Sequence, residues 1–307
     1  MDLKNISFDD SVEKKKLLHD GEEVVKKITF MGILRNSENY LNNFFFKMAD
    51  VIERIYDVEF EYYFLENNSI DNTRNVLIDW IQDKQGRVFL SNDKSDYEKT
   101  THGINHSRTK YLGDLRNKLV NNVGQLNSKW TFIVDSDIFF SAKNIEEFFE
   151  CKPKSNGYCM VSPYTEELFN KSVIAKEDRQ DIKDNALLSI NHYFDTFALF
   201  DKDRKSFYPN CPFAKCKMCQ KKALGTDRTR ISEDEKVVEV SSCGGGIFLI
   251  SSDALNDRRI RWSSYSYETN MDLSLCEHVT FCDRLKTITE KKIVILQDLK
   301  LYRIPVR

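Results

Sequence analysis

The chain has 307 residues, of which 41% are hydrophobic and 31% charged, enough to bury a sizeable core in one large α/β domain or two smaller ones. Its formal net charge of -2 argues against a dedicated nucleic-acid binder, which carries a basic surplus or stripe. Nothing in it approaches ~20 uninterrupted apolar residues, and its opening MDLKNISFDDSVEKKK lacks the apolar stretch of a secretion signal. A soluble, cytoplasmic protein without a transmembrane segment is expected, with its eight cysteines mostly reduced thiols.

In chain order, residues 1–26 read as a polar helical lead-in. Strand-like runs at 27–34, 59–65, 87–90 and 130–135 then alternate with helical patterns at 38–55, 71–84 and 107–127. In 38–55 the apolar residues recur at three-to-four spacing, as an amphipathic helix requires, and the Phe44-Phe45-Phe46 run belongs to core packing. Strand, helix, strand, helix predicts a Rossmann-like α/β fold, a three-layer sandwich around a mostly parallel mixed sheet. The second half offers strands at 157–162, 237–241, 246–251 and 293–296, and an irregular loop near 200–235 of a length that points to function. A division near 150 separates a 27–150 half from a 151–307 half, with one continuous sheet expected through both.

The run WTFIVDSDIFF over 130–140 is an apolar strand that ends in Asp135 and Asp137. Side chains alternate along a strand, so both carboxylates leave the sheet on one side. A pair of carboxylates so placed suits a hard divalent cation, whose remaining ligands are favourably phosphate oxygens. Upstream, FLENNSIDNT over 64–73 follows a strand and opens a helix. It offers Glu66, Asn67, Asn68 and Ser69 at the strand's carboxyl end, and Asp71 or Asn72 as a helix cap. Arg35, after the first strand, and Arg116, on the helix before the aspartates, suit a diphosphate or the aspartates themselves; Asn117 could orient an aspartate or a sugar hydroxyl.

Together these motifs resemble the nucleotide-sugar-dependent glycosyltransferases of the GT-A fold, which carry an ENNSxDxT-like turn, an arginine-bearing helix and a strand ending in Asp-x-Asp in this order. The resemblance implies transfer of a sugar from a nucleotide diphosphate sugar, UDP-sugar favoured over GDP-sugar, to a hydroxyl of a glycan acceptor. It implies Mn2+ or Mg2+ held by Asp135 and Asp137, and Glu66 with Asp71 on the base and ribose. Arg35, Asn68, Arg116, Asn117, Ser136 and Gly245 complete the implied donor-binding set.

Farther on, SSCGGGIFLI over 241–250 puts three glycines before a strand, where positive φ and close backbone approach are available; in the family this segment lines the sugar or acceptor pocket. The stretch CEHVTFCDRL over 276–285 is similar to the family's late acidic helix, with His278 where an Asp is usual. Glu277 is the first choice for general base and Asp272 the second, while His278 is a base or a third metal ligand. Cys211-x4-Cys216-x2-Cys219 is one ligand short of a zinc site, which Cys243 or His192 would have to complete. The alternatives are a sugar-phosphate nucleotidyltransferase, disfavoured by the single glycine in MGILRNSENYL, and a non-catalytic carbohydrate-binding protein. A soluble enzyme of this kind would suit a bacterial or large-DNA-virus source.

Overall fold

A computed structural model describes residues 13–93, 106–170, 187–208, 210–216, 219, 224, 229–264 and 275–304. Of the 1–26 lead-in the described residues start at 13, and they form a hairpin, β1 (Leu18–His19) and β2 (Glu23–Val24), where a helix was expected. The reason is local: Asp20 and Gly21 both take positive φ, 55° and 86°, the turn that joins two antiparallel strands with the right twist.

An eleven-stranded sheet follows. Strand β3 (Lys27–Leu34) leads through α1 (Glu38–Tyr40), a π turn at Leu41–Phe45 and α2 (Phe46–Ile55) to β4 (Glu59–Asn67). Next come α3 (Thr73–Ile81), β5 (Gln85–Ser91), α4 (His106–Val123), β6 (Trp130–Val134), β7 (Ile138–Phe139) and α5 (Ala142–Glu150). The second half adds β8 (Tyr158–Asn170), β9 (Leu187–Tyr193), β10 (Phe200–Asp201), β11 (Val237–Ser242), β12 (Ile247–Ser251), α6 (Ser252–Asn256), α7 (Glu277–Thr289) and β13 (Lys292–Arg303). The spatial order is β10-β11-β13-β8-β12-β6-β3-β4-β5, with β7 against β13 and β9 against β8. Strands β3, β4, β5, β6, β8, β10 and β13 run one way; β7, β9, β11 and β12 run the other. The sheet is therefore mixed and mostly parallel, and strands from both halves of the chain share it.

Both faces are covered, so the central strands read as continuous apolar runs instead of alternating with polar residues. Phe30, Phe132, Val134, Leu249 and Val294 pack on one face with Phe45, Ile52 and Leu77 of the α2 and α3 side and Phe148 of α5. Their strand neighbours Met31, Ile133, Ile250 and Ile293 point to the other face, onto Leu115 and Leu119 of α4, Leu255 of α6 and Phe281 of α7. Of the phenylalanine run, Phe45 and Phe46 are buried in the first of these cores. No helix among the described residues is long and apolar enough to cross a membrane.

Strand order positions the site. From β3 the chain crosses to β4 on one side, whereas β6 lies against β3 on the other. A crevice opens at such a reversal, outside the carboxyl ends of the strands. Arg35 follows β3 and Asp135 follows β6, so both reach the same crevice.

Gly32 keeps those two strand ends close: a Cβ there would lie 2.5 Å from the carbonyl oxygen of Val134, the residue before Asp135. Gly32→Ala is expected to force β3 and β6 apart and to lower stability by about 1–3 kcal/mol, the usual cost of overpacking; urea denaturation measures it, and an unchanged midpoint would refute the close approach.

Candidate functional site

The crevice is a cavity of about 480 Å3 lined by Arg35, Asn67, Arg108, Arg116, Asp135, Ser136, Asp137, Asp195, Glu277, His278 and Arg303 among others. Its floor is made by tight turns. The Asp135 N–H donates to the Gly246 carbonyl at 2.6 Å, and Gly246 holds φ at 75°, where a Cβ would meet Ile138 at 2.4 Å. Gly244 does the same for another acid: a Cβ on it would fall 1.9 Å from Oδ2 of Asp195. Gly245, with φ at 100°, is fixed through its carbonyl, which accepts from Thr165 Oγ1 at 2.7 Å. The glycine triplet thus seats two carboxylates rather than lining the cavity itself.

Arg116, on α4, is the electrostatic centre. Its Nη1 donates to Glu277 Oε1 at 2.7 Å, and its Nη2 stands 3.7 Å from Asp135 Oδ1. Glu277, at the start of α7, is buried. Burial pushes its carboxyl up, but Arg116, assisted by His278 and Arg108, overcomes this and holds it below the ordinary carboxylate value. Asp135 and Asp195 behave in the opposite sense. Burial lifts Asp135 to about 6 against the pull of Arg116, with Asp137, Glu277 and Asp195 adding to the rise. Asp195 also stands at about 6, through burial and the charge of Glu277, although it accepts the Ala198 N–H. His278 is brought down to about 4 by burial and Arg116, which makes it neutral at pH 7. Its Nδ1 accepts from the Trp262 indole at 3.4 Å, and its Nε2 lies 3.9 Å from Glu277 Oε1.

Asp137 is held differently. The register of β13 shifts between Leu296 and Lys300 before the strand pairs with β7, and this brings Arg303 to Asp137 Oδ2 at 2.9 Å. The same guanidinium reaches Glu167 at 3.0 Å and lies 4.3 Å from the Phe194 ring. Asp135, Asp137 and His278 share the cavity wall, but their ligand atoms do not all fall within 4.8 Å of one another.

Of the other sequence-identified residues Ser136 lines the cavity, whereas Glu66, Asn68, Asp71 and Asn117 are held nearby and do not line it. Glu66 is fully buried, accepting from the Ser69 N–H at 2.8 Å and from Arg74 Nε at 2.7 Å. Asp71 accepts from the Thr73 N–H at 3.0 Å and the Glu38 N–H at 3.2 Å, so it ties the starts of α3 and α1 together. Asn68 takes φ 53° and bonds the Ser91 carbonyl. Asn117 is clipped to the backbone of Trp262 in both directions, at 2.7 and 2.9 Å. Ser136 donates to Ser37 at 2.9 Å. Asp272 lies outside the described residues. Missed from sequence were Asp195, which sits in no motif, and Arg303, which is 166 residues from its partner Asp137; the glycine triplet's demand for a close neighbour was the one signal for Asp195.

An acid-rich open cavity at the carboxyl ends of parallel strands, on an α/β sheet, is the candidate site for a phosphate-bearing ligand. The chain belongs to the Cryptococcal mannosyltransferase 1 family, whose sequence profile matches residues 27–283. No curated protein matches the chain at a significant level. Similar solved structures include S. aureus TarS 1–349 in complex with UDP-GlcNAc, at 10% identity and TM-score 0.49, covering 92% of this chain and 59% of that one. GalNAc-T7 with UDP, GalNAc and Mn2+ matches at 10% identity and TM-score 0.49, covering 92% and 44%. PcManGT from Pyrobaculum calidifontis with GDP-Man and Mn2+ matches at 9% and 0.43, covering 91% and 57%. The chain therefore spans less than two thirds of the length of each.

Two outcomes follow from the charge balance. Arg116→Ala strands a buried carboxylate at Glu277 and is expected to cost roughly 3–5 kcal/mol, with Glu277→Gln added to it recovering part of the loss in denaturant melts. Asp195 has a folded value above its unfolded one, 3.8, so the stability it contributes is full below pH 3.8 and lost as pH rises through about 6. Asp195→Asn should therefore be more stable than the parent at pH 7.5, with the gap narrowing towards pH 4; a gap that widens on acidification would contradict this assignment.

Proposed function

We propose that the chain transfers a hexose, mannose being the first to test, from a nucleoside diphosphate sugar to a hydroxyl of a glycan acceptor. The observation that carries the reading is the cluster of Asp135, Asp195 and Glu277 around Arg116 in a cavity at the strand ends. Family membership supports the mannosyl choice, and the structure with GDP-Man makes that compound a natural donor to try.

A divalent cation fits this donor set. Asp135 is lifted to about 6 by burial against the pull of Arg116, with the neighbouring carboxylates of Asp137, Glu277 and Asp195 adding to the rise. Asp135 and the Asp137 oxygen not bonded to Arg303 would hold Mn2+ or Mg2+, which when bound would neutralise charge on the diphosphate leaving group. Arg35 and Arg108 line the same cavity and suit the phosphates by their planar, two-pronged donors. Asn67 and Tyr111, bonded to each other on the cavity's edge, suit the nucleoside end. Ser136 and the structural turn around Glu66, Asn68 and Asp71 would keep that edge in shape, and Asn117 and Gly245 would do so for the opposite wall.

For proton removal from the acceptor hydroxyl, a base works best with a value near the operating pH. Asp195 meets that condition better than Glu277, whose pairing with Arg116 weakens it as a base. In this reading Asp195 accepts the proton and Glu277 fixes Arg116. Inversion at the anomeric carbon would need Asp195 on the face opposite the leaving group.

The test is a thermal-shift panel of GDP-mannose, other GDP-sugars and UDP-sugars, each with Mn2+ and with EDTA, followed by donor hydrolysis and transfer assays. Metal-dependent stabilisation by one nucleotide series is expected, because a ligand bound only to the native state raises apparent stability. Asp135→Asn should lose at least about 100-fold in turnover, in line with the loss of a principal electrostatic group, with no fall in its thermal midpoint. Absence of any donor-dependent shift would favour the non-catalytic carbohydrate-binding alternative.

A further inference from the structure

A second cluster lies outside the cavity. Cys211, Cys216 and Cys219 sit in the irregular 200–235 segment, and all three are completely buried. His192, near the end of β9, joins them: its Nδ1 lies 3.4 Å from Cys216 Sγ and 3.9 Å from Cys219 Sγ. The His192, Cys211 and Cys216 ligand atoms all fall within 4.8 Å of one another, and no other three His, Cys, Asp or Glu side chains among the described residues come so close.

We propose that His192, Cys211 and Cys216 bind one structural zinc ion, with Cys219, 3.9 Å from His192 Nδ1 but outside that compact group of three, closing on the ion as the fourth ligand. A tetrahedral ion with Zn–S about 2.3 Å and Zn–N about 2.0–2.1 Å separates nitrogen and sulfur ligands by about 3.5 Å, close to the two distances found. Cys243, the other fourth ligand the sequence allowed, belongs elsewhere: it packs with Cys282, whose thiol faces the Cys243 carbonyl at 3.9 Å.

The surroundings are those a thiolate centre needs. The Tyr193 N–H points at Cys211 Sγ at 3.4 Å, a bond that stabilises anionic sulfur. Arg230 donates to the carbonyls of Cys211, at 2.9 Å, and of Cys219. Three thiolates and one dication leave a charge of about -1, which that guanidinium offsets. Binding releases the three thiol protons to solvent, so no redox partner is involved.

The segment packs Phe207, Phe213 and the three cysteines into the second core, but it carries little regular structure. Among its described residues, regular structure amounts to β10 and two isolated bridges, Phe200 with Ser206 and Phe213 with Ile231. A metal tie would add folding energy to such an irregular stretch. It also bears on the cavity, because His192 precedes Asp195 by three residues and the tie fixes the turn that carries that carboxylate.

Metal analysis and cobalt substitution of the full chain test the assignment without reference to transfer activity. Expected are one zinc per chain, retained in Cys151→Ser and lost in His192→Ala and Cys216→Ser, and a tetrahedral Co2+ spectrum with sulfur-to-metal charge transfer. Removing zinc with a chelator should lower the thermal midpoint by about 5 °C or more. The proposal is overturned by wild-type protein without zinc after expression in zinc-supplemented medium, by zinc retained in both variants, or by a deficit of two thiols showing a disulfide instead. Should either variant fail to fold, the wild-type metal content and the cobalt spectrum decide alone.

Discussion

One guanidinium set against several carboxylates governs this structure. Arg116 is nearly buried between Glu277, Asp135 and the field of Asp195. Its single charge suffices for Glu277, which is held anionic, and is insufficient for the other two, which are lifted towards neutrality. Burying carboxylates beside one another costs folding free energy, and such groups cluster where a site must receive something positive or accept a proton. The fold tolerates the imbalance because a sheet buried on both faces supplies apolar packing on either side of the crevice.

The fold and the site are coupled through backbone that only glycine allows. Gly246 and Gly244 let the Asp135 and Asp195 turns lie closer to β12 than any side chain would permit, and Gly32 does the same for the ends of β3 and β6. A second set of ties comes from polar side chains. Asn36, Ser37 and Glu38 exchange hydrogen bonds with Ser69, Ile70, Asp71, Asn72 and Thr73. Those bonds lock the turns after β3 and β4 into one rim, with Glu66 buried beneath it and Asp71 exposed on it. Such saturated hydrogen bonding is what fixes a polar turn in one conformation.

Membership of the Cryptococcal mannosyltransferase 1 family sits well with this arrangement, since moving a sugar from a phosphate leaving group asks for little covalent chemistry from the protein. The demands are a place for the diphosphate charge and a base across from it. In the proposed reading Arg35, Arg108 and a cation held by the aspartate pair would meet the first, and Asp195, whose carboxyl burial and the charge of Glu277 push up to about 6, would meet the second.

The sequence alone determined the elements and one edge of the site. Strands 27–34 and 130–135 and the helices starting near 38, 71 and 107 were legible because each is long, apolar and periodic, and Asp135 was legible because it ends such a strand. The hairpin at 18–24 shows the limit, where two positive-φ residues outweighed a charged, helix-like composition. Tertiary structure decided the partners. Arg116 with Glu277, Arg303 with Asp137 and His192 with Cys216 are pairs far apart along the chain, and no local period records them. It also decided which acids are paired and which are left over, because burial and the number of nearby charges, the quantities that set a carboxylate's state, exist only once distant segments have packed.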